Sequence, residues 1–440
     1  MNKGTTVLLA LVVGLAAGIP LGGRLMPASA PADDDEGAAT VTAAAVSDAI
    51  GAEDISGPYD VQMGWPKDLS TLPGHEQWTY GGARGIFAES PNRVYLLGGG
   101  ELPNLKRPPV KKYSDVGPSV QFPVGGVPWR NANQATPPGA GGSGQDPAKG
   151  MELWRGSEPP YRELGVDARW EHCLIVVDAE GNIIEQWTQW DKLFKRPHAV
   201  YVSPYDREKH VWVVDDHTHA IYKFTNDGKQ LVQTIGTPNV SGADGTHFNR
   251  PTFMAWLPDG SFYVSDGYNG TRVAKFDASG RFLFDFGMKG ESGKETRPGY
   301  LNNVHGVGID LQTRRVFVND RDNHRIQIFD ENGKYLSEWK ISVSPSSLHF
   351  VDVAADGSVA TFDRNTHKML KYDQQGHLLY SWGTIGDFPG TVWGVHGMSV
   401  DQDGNLYVAE VDSGRFQKFQ PRPGANPAFL IGKPVRAVWQ

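Results

Sequence analysis

Histidines recur at one position of a repeated sequence pattern, and together they could hold a metal ion. The residues just before the first apolar segment of each copy are, in chain order, Arg84, His198, Thr252, His305, His349 and His396. A single histidine at such a turn is usually a structural hydrogen-bonding group, but four in register favour a metal site. Neutral imidazoles are good ligands for zinc and similar divalent ions. Three ligands with one open position form the usual catalytic arrangement.

A second set of residues follows the second strand of the same copies. Aligned on the third strand, this position holds Asp216, Tyr268, Arg321, Arg364 and Val411. An arginine that faces a metal site is a candidate clamp for a substrate carboxylate, since its planar group can pair with both oxygens. A tyrosine beside a divalent ion is a candidate general base. In the structural alternative, Arg321 and Arg364 pair with Asp320 and Asp363 or with neighbouring repeats.

These candidate residues can meet only if the repeats surround one axis. The copies begin at Ala83, Pro197, Arg250, Val304, Leu348 and Val395. Each contains four short strands of alternating apolar residues, separated by Asp-Gly, Asn-Gly or Ser-Gly turns. One such unit cannot bury both of its faces, whereas radial stacking buries them. The pattern therefore predicts an all-β, six-bladed β-propeller with four-stranded antiparallel blades. We expect the segment from Tyr59 to pair with the last blade and close the ring.

Three motifs carry a more specific resemblance: HFNRP (His247–Pro251), SDGYNGTR (Ser265–Arg272) and NDRDNHRIQIF (Asn319–Phe329). The chain after residue 57 resembles the NHL-repeat propellers, and these motifs resemble those of peptidyl-α-hydroxyglycine α-amidating lyases. That resemblance implies a central zinc held by three histidines in alternate blades, which fall on His198, His305 and His396. It also implies that Tyr268 is the catalytic base and that Arg321 binds the substrate. The implied reaction cleaves a peptidyl-α-hydroxyglycine to a peptide amide and glyoxylate.

The sequence also departs from that family. Gly397 stands where the family has an aspartate that binds calcium, so zinc is expected but calcium is doubtful. The arginine of the family's first blade has no match in GGGE at 98–101, and Cys173 is alone, so no disulfide can form within the chain. His349 is additional: it is either a fourth ligand, which would close the site and make it structural, or a supporting group. We keep Arg84, Arg364 and Thr252 as candidate substrate contacts.

An insertion over residues 101–170 interrupts the first repeat and is rich in proline, glycine and aromatic residues. Long irregular segments in compact domains are usually functional lids or disordered. We expect a lid over the histidine mouth, in which Arg130 or Arg155 replaces the missing arginine. The alternative is a surface loop with no role at the site.

The N-terminus predicts export. The apolar run from Val7 to Ile19 has the length of a signal-peptide core, and Ala28-Ser29-Ala30 has the pattern of a cleavage site. Residues 1–30 are therefore predicted to be a signal peptide or an uncleaved anchor. Residues 31–56 read as a disordered linker, and residues 57–440 as the propeller. The predicted location is periplasmic or extracellular, with membrane contact only through such an anchor. A net charge of −8 argues against nucleic acid as a partner, because the chain lacks the basic stripe that such binding needs.

Two hypotheses of different kinds follow. In the first, the protein is a zinc-dependent lyase of the amidating type, or a relative that acts on another small hydroxylated carboxylate. Its partner is then a small molecule or peptide that bears a carboxylate. In the second, it is a non-catalytic propeller that binds a protein, peptide or glycan in the cell envelope. A lactonase-like hydrolase is a weaker third hypothesis, because such an enzyme expects carboxylate and asparagine ligands at this position.

Overall fold

Alternating apolar residues and glycine-containing turns fold the chain into six four-stranded antiparallel sheets, which are the six blades of a β-propeller. The computed structural model of the protein describes residues 53–104, 110–112, 121–123, 132, 169–341 and 346–440. The predicted fold class is confirmed, because these residues are almost entirely strands and turns. The described helices are the short α1 (Glu53–Ser56) and 3-10 turns at Leu69–Thr71, Thr188–Leu193, Arg321–Asn323 and Pro427–Phe429.

The strands before the second blade include those of the first blade and of the insertion. They are β1 (Tyr59–Val61), β2 (Trp78–Tyr80), β3 (Ala83–Ser90), β4 (Arg93–Gly98), β5 (Glu101–Pro103), β6 (Val110–Lys112), β7 (Gln121–Pro123), β8 (Leu174–Val177) and β9 (Ile183–Gln186). The first blade has the order β3-β4-β8-β9, so the insertion separates its second strand from its third. Two small sheets, β2-β5 and β6-β7, lie outside the blades.

Blades two, three and four follow without interruption. Blade two has β10 (Pro197–Val202), β11 (Val211–Asp215), β12 (Ala220–Phe224) and β13 (Leu231–Ile235). Blade three has β14 (Pro251–Trp256), β15 (Phe262–Asp266), β16 (Arg272–Phe276) and β17 (Phe282–Phe286). A parallel pair, β18 (Met288–Lys289) and β19 (Tyr300–Leu301), then leads into blade four. Blade four has β20 (Val304–Asp310), β21 (Arg315–Asp320), β22 (Arg325–Asp330) and β23 (Tyr335–Lys340).

The last two blades differ from the others at their edges. Blade five has a short inner strand and consists of β24 (Asp352–Val353), β25 (Val359–Asp363), β26 (Lys368–Tyr372) and β27 (Leu378–Trp382). Blade six has three strands from the end of the chain, β28 (Val395–Val400), β29 (Leu406–Glu410) and β30 (Arg415–Pro421). Its fourth strand is β1, which pairs antiparallel with β30. The predicted closure by the segment from Tyr59 is therefore confirmed.

Aromatic and branched side chains between neighbouring blades form the core. The second strands are fully buried, as in β11 and β15, while the outer strands β13 and β17 are half exposed. Between blades two and three, the ring of Trp212 lies 6.0 Å from that of Trp256 and 5.3 Å from that of Phe262. Because each blade buries its faces only against its neighbours, closure of the ring removes the exposed face that an open array would leave.

The predictions for the N-terminal segments and for most of the insertion concern residues outside the described part of the chain. The predicted signal peptide or anchor (1–30), most of the linker (31–56) and most of the insertion (101–170) lie there, as do Arg130 and Arg155. Where the predicted linker ends, Glu53–Ser56 form α1. None of the helices in the described part of the chain has the length and apolar character that crossing a bilayer requires.

Ring closure depends on Tyr59, and this can be tested. Tyr59 is fully buried, its ring lies 5.8 Å from that of Trp382 in blade five, and its hydroxyl accepts a hydrogen bond from the Ile431 amide at 2.8 Å. We expect Tyr59→Ala to lower the free energy of unfolding by about 3–5 kcal/mol, because it leaves a cavity at the closure. Tyr59→Phe, the matched control, should cost about 1 kcal/mol through loss of one hydrogen bond. Equal small losses in urea unfolding would show that β1 does not hold the ring closed.

Candidate metal centre

Irregularities in the inner strands direct the six aligned residues toward the axis. The pairing register between first and second strands shifts across Arg84, His198, Thr252, His305 and His396. In blade five, His349 lies between an isolated bridge at Leu348 and the start of β24. A bulge leaves a residue out of the ladder and re-aims its side chain. The six positions aligned from the sequence therefore occupy equivalent places at one end of the inner strands.

Hydrogen bonds between neighbouring blades fix the orientation of this ring. The Nδ1 atoms donate to the main-chain carbonyl of the next blade: His198 to Thr252 at 3.0 Å, His349 to Val395 at 2.7 Å and His396 to Arg84 at 2.7 Å. His305 donates in the same way to the His349 carbonyl, and the Thr252 hydroxyl donates to the Val304 carbonyl at 3.1 Å. Since a carbonyl can only accept, each Nδ1 carries the proton. In the neutral rings each Nε2 is therefore unprotonated, and its lone pair can accept a hydrogen bond or bind a metal ion.

Three of the histidines meet on the axis. One ligand nitrogen from each of His198, His305 and His396 lies within 4.8 Å of the others, and all three side chains are buried. Burial lowers the pKa of His198 and His305 well below the usual value and that of His396 to about 3. The imidazoles are therefore neutral at neutral pH. Three neutral, buried imidazoles with fixed tautomers and converging lone pairs fit a zinc ion.

His349 lies in the ring but outside this cluster. Its imidazole is buried 5.8 Å from that of His305 and 5.6 Å from that of His396, measured between ring centroids. Among the described residues, the cluster that could hold an ion at this mouth contains only the other three histidines. This arrangement favours the open three-ligand site over the closed four-histidine site.

Tyr268 closes over the histidines. Its hydroxyl lies 2.8 Å from Nε2 of His305 and 3.1 Å from Nε2 of His198. The preceding Gly267 allows this approach, because a Cβ there would lie 1.4 Å from the Val304 carbonyl oxygen. The Tyr268 amide donates to the Arg250 carbonyl, as the Arg321 amide does to the Asn303 carbonyl. Tyr268 and Arg321 therefore occupy equivalent positions in consecutive blades, as the sequence alignment predicts.

Three guanidinium groups surround the Tyr268 ring. Their central carbons lie 4.5 Å (Arg250), 5.4 Å (Arg196) and 5.4 Å (Arg321) from the ring centroid. Such cation–π contacts hold the ring in place. They also make the mouth positive, which favours an anionic ligand.

One buried carboxylate neutralises part of this charge. Asp216 accepts from Nε and a terminal nitrogen of Arg250 at 3.0 and 2.7 Å, and it lies 3.3 Å from Nε of Arg196. Burial alone would raise the pKa of Asp216, but Arg196 and the other cations beside it hold that pKa well below its usual range. The nearest carboxylate contact of Arg321 among the described residues is 4.0 Å, to Asp322. Arg321 is therefore the guanidinium best placed to receive a substrate carboxylate.

Of the remaining candidate substrate contacts, Arg364 and Thr252 are bonded to other residues, and Arg84 is buried. Arg364 donates to both oxygens of Asp412 in the next blade, at 2.6 and 2.7 Å, which matches the structural alternative. The Thr252 hydroxyl bonds Ser265 as well as the Val304 carbonyl. Arg84 is 1% exposed, and burial, followed by repulsion from Arg196, lowers its pKa to about 10. The structure thus brings together five of the predicted site residues: His198, His305, His396, Tyr268 and Arg321. The side chains of Thr252 and Arg364 instead bond to other residues of the protein.

The sequence analysis did not identify Phe253, whose ring packs against one side of the histidine cluster. Phe253 packs beneath the cluster, with its ring 5.0, 5.3 and 5.6 Å from those of His198, His305 and His396. A cavity of about 200 Å³ opens at the other ends of the inner strands, where Tyr201 and Trp256 are among its lining residues. None of the histidines lines that cavity. The Phe253 ring therefore limits access of water to the cluster from that side.

Sequence reasoning also missed Arg196, Arg250 and Asp216 as parts of the site. A signal for the two arginines was present, because each stands in an Arg-Pro pair directly before an inner strand, at 196–197 and 250–251. Arg196 approaches the Tyr268 hydroxyl at 3.5 Å, and Arg250 stacks on its ring. Asp216 was aligned with Tyr268 and Arg321, but its partners come from two different blades and could not be read from one repeat.

Several known proteins are similar in sequence to this chain. No family model matches the chain. The peptidyl-glycine alpha-amidating monooxygenase A of Xenopus laevis is 27% identical over 274 residues, which are 59% of this chain and 28% of that protein. The chain thus spans under a third of that relative's length. The peptidyl-alpha-hydroxyglycine alpha-amidating lyase 1 of Drosophila melanogaster is 28% identical over 300 residues, 64% of this chain and 52% of the relative.

The match to a further relative extends over most of that protein's length. The NHL repeat-containing protein 3 of Mus musculus is 30% identical over 276 residues, which are 58% of this chain and 75% of that protein. The six antiparallel four-stranded blades agree with that match. On this identity and coverage, the chain belongs to the NHL-repeat protein family.

Proposed function

We propose that the protein is a zinc-dependent lyase that cleaves a peptidyl-α-hydroxyglycine, or a closely related hydroxylated carboxylate, to an amide and glyoxylate. The observation that carries the proposal is the position of the Tyr268 hydroxyl, within hydrogen-bond distance of two of three converging, neutral histidines. The reaction needs a base held against a metal site and an arginine beside it, and Arg321 has no carboxylate partner closer than 4.0 Å among the described residues.

The reaction needs no second substrate. The hydroxyl of the substrate loses its proton, the carbon–oxygen bond becomes a carbonyl, and the bond from that carbon to the amide nitrogen breaks. The nitrogen takes up a proton and leaves as the amide, while the carbon leaves as glyoxylate. The same proton can serve both steps, so one acid–base group is enough.

The chain supplies the groups for each part of this reaction. His198, His305 and His396 would hold the zinc ion, which when bound acts as a Lewis acid on the substrate hydroxyl. Tyr268 removes the hydroxyl proton and returns it to the leaving nitrogen. Arg321 pairs with the substrate carboxylate and orients the substrate. Phe253 and the buried walls of the mouth exclude water, which strengthens each electrostatic contact.

The proposal includes location and partners. The apolar run from Val7 to Ile19 supports export to the periplasm or outside the cell. The positive mouth supports a substrate with a carboxylate, either a small molecule or the end of a peptide. Calcium is not part of the proposal, because Gly397 offers no side-chain ligand.

A non-catalytic binding propeller is the alternative. It is favoured by the match to NHL repeat-containing protein 3, whose name carries no enzymatic activity and of which the chain covers 75%. In that case the histidine cluster would hold the blades together, and the mouth would bind an acidic partner without chemistry. The measurements below separate the two functions.

The first prediction concerns zinc content. We expect His198→Ala and His396→Ala each to lose one equivalent of zinc relative to the wild-type protein, because two imidazoles hold the ion weakly. The matched control is His349→Ala, which has the same type of Nδ1 hydrogen bond but lies outside the cluster and should keep its zinc. Elemental mass spectrometry of folded protein measures this. A loss in His349→Ala equal to that in His198→Ala and His396→Ala would indicate a closed structural site.

The second prediction concerns the base. Tyr268→Phe should lower kcat for glyoxylate release from an N-acyl-α-hydroxyglycine by roughly 10²–10⁴, the usual contribution of a general base. Its zinc content should be unchanged, because the phenol is not one of the three ligands. Tyr300→Phe, at a tyrosine stacked on Arg297, is the control and should keep full activity. Wild-type kcat in the Tyr268→Phe variant would exclude this mechanism.

The third prediction concerns the carboxylate. Arg321→Gln should reduce kcat/KM roughly 10- to 100-fold, mainly by raising KM, because one charged hydrogen-bonding partner is worth about 1.5–3 kcal/mol. Arg364→Gln is the matched control, since Arg364 holds the equivalent position in the next blade but is paired with Asp412. Similar losses in both variants would mean that the general charge of the mouth, rather than Arg321, binds the substrate.

A further inference from the structure

A second group of potential metal ligands lies where the insertion leaves and rejoins the first blade. Glu101 and Arg169 exchange two main-chain hydrogen bonds, of 2.8 and 3.0 Å, so the two ends of the segment 102–168 are held together. Gly100 permits this contact, because a Cβ there would lie 2.3 Å from the Arg169 carbonyl oxygen. Side chains from both ends face each other at this point, which we call the neck.

The neck cluster consists of His75, Glu101, Glu171 and His172. One ligand atom from each lies within 4.8 Å of the others. Nδ1 of His75 and Nδ1 of His172 lie 2.8 and 2.7 Å from the same oxygen of Glu101. Tetrahedral zinc, with bonds of about 2.0–2.2 Å, spaces neighbouring donor atoms ~3.4 Å apart. Small side-chain shifts would therefore bring all four donors to such an ion.

Hydrogen bonding at His172 leaves a position for a cation. Its Nε2 lies 2.8 Å from Oε1 of Gln186, an acceptor, so Nε2 carries a proton. In the neutral ring Nδ1 then has a lone pair, and this lone pair faces a carboxylate oxygen at 2.7 Å. Two electron-rich atoms at that distance repel each other unless a proton or a metal ion lies between them. The hydrogen bond to Gln186 is of the kind that orients metal-bound histidines.

The charges around the neck also favour a divalent ion. Glu101 is fully buried, and a buried carboxylate requires a compensating charge. Arg169 contributes one positive charge, 2.7 Å from Glu171 and 3.7 Å from Glu101, so the second carboxylate requires another cation, which is either an imidazolium or a metal ion. Two imidazole nitrogens and two carboxylates are ligands that zinc accepts.

We propose that the neck cluster binds a zinc ion, separate from the central one, that fastens the two ends of the insertion to the first blade. His75 precedes β2, Glu101 begins β5, and Glu171 and His172 precede β8, so the ion would join three separate segments. An ion that binds the folded chain but not the unfolded chain stabilises the fold by mass action. The site is structural, because four protein ligands leave no open position for a substrate.

The test compares zinc content in two pairs of substitutions, each made in the full-length chain. After equilibration with excess zinc and gel filtration, the wild-type protein should hold two equivalents. The His75→Gln/Glu171→Gln variant should hold one equivalent, at the central site. The His198→Ala/His305→Ala variant should also hold one equivalent, at the neck. Combining the four substitutions should remove both. Glu180→Gln, at an exposed glutamate of the same blade, is the control and should keep two.

The two pairs separate this proposal from the proposed function. If His75→Gln/Glu171→Gln retains the wild-type zinc content, the neck is an ion-pair cluster and the second site is overturned, whatever the central site does. A second readout uses stability. Zinc added to the metal-free His198→Ala/His305→Ala protein should raise its Tm, and the added neck substitutions should abolish that rise. A Tm rise that survives the neck substitutions would also contradict the proposal.

Discussion

The hydrogen bond from each ring side chain to the next blade is the interaction on which the site depends. A bulge takes His198, His305 and His396 out of the strand ladder, and the neighbouring blade's carbonyl then fixes each Nδ1. One contact therefore joins two blades, selects a tautomer and aims Nε2 at the axis. The same contacts that join neighbouring blades orient the histidines toward one another. Stability of the ring and geometry of the site have a common origin.

The electrostatics of the mouth follow from burial around this ring. Histidines that cannot be hydrated stay neutral, so they do not add positive charge to a mouth already lined with arginines. Asp216 compensates Arg250 and Arg196, and it does so from a fully buried position. Arg321 has no comparable partner among the described residues. Three guanidinium groups around one buried carboxylate leave the mouth with an excess of positive charge beside Tyr268, and this favours an anionic ligand.

Much of this was predictable because the sequence repeats. Alignment of six copies placed the ring residues in register, and the bulges confirm that these positions are equivalent. Closure by the strand at Tyr59 could also be expected, since blade six lacks a fourth strand of its own. Contacts that link different repeats could not be read in this way. The partner of Arg364, Asp412, and the position of Phe253 beneath the histidines depend on which blades are neighbours in space. The neck cluster depends on how the two ends of the insertion meet at the first blade.

The number of ligands follows from the sixfold arrangement. Six side chains that point at one axis from adjacent blades would crowd one another, whereas three from alternate blades can meet. The blades between them hold Arg84, Thr252 and His349, and the Thr252 hydroxyl and Nδ1 of His349 bond to neighbouring main-chain carbonyls. His349 is chemically a ligand, yet the rings of His305 and His396 lie on either side of it, 5.8 and 5.6 Å away. Position in the ring, rather than residue type, therefore decides that the cluster has three members and an open side. An open side is the condition for chemistry at this mouth.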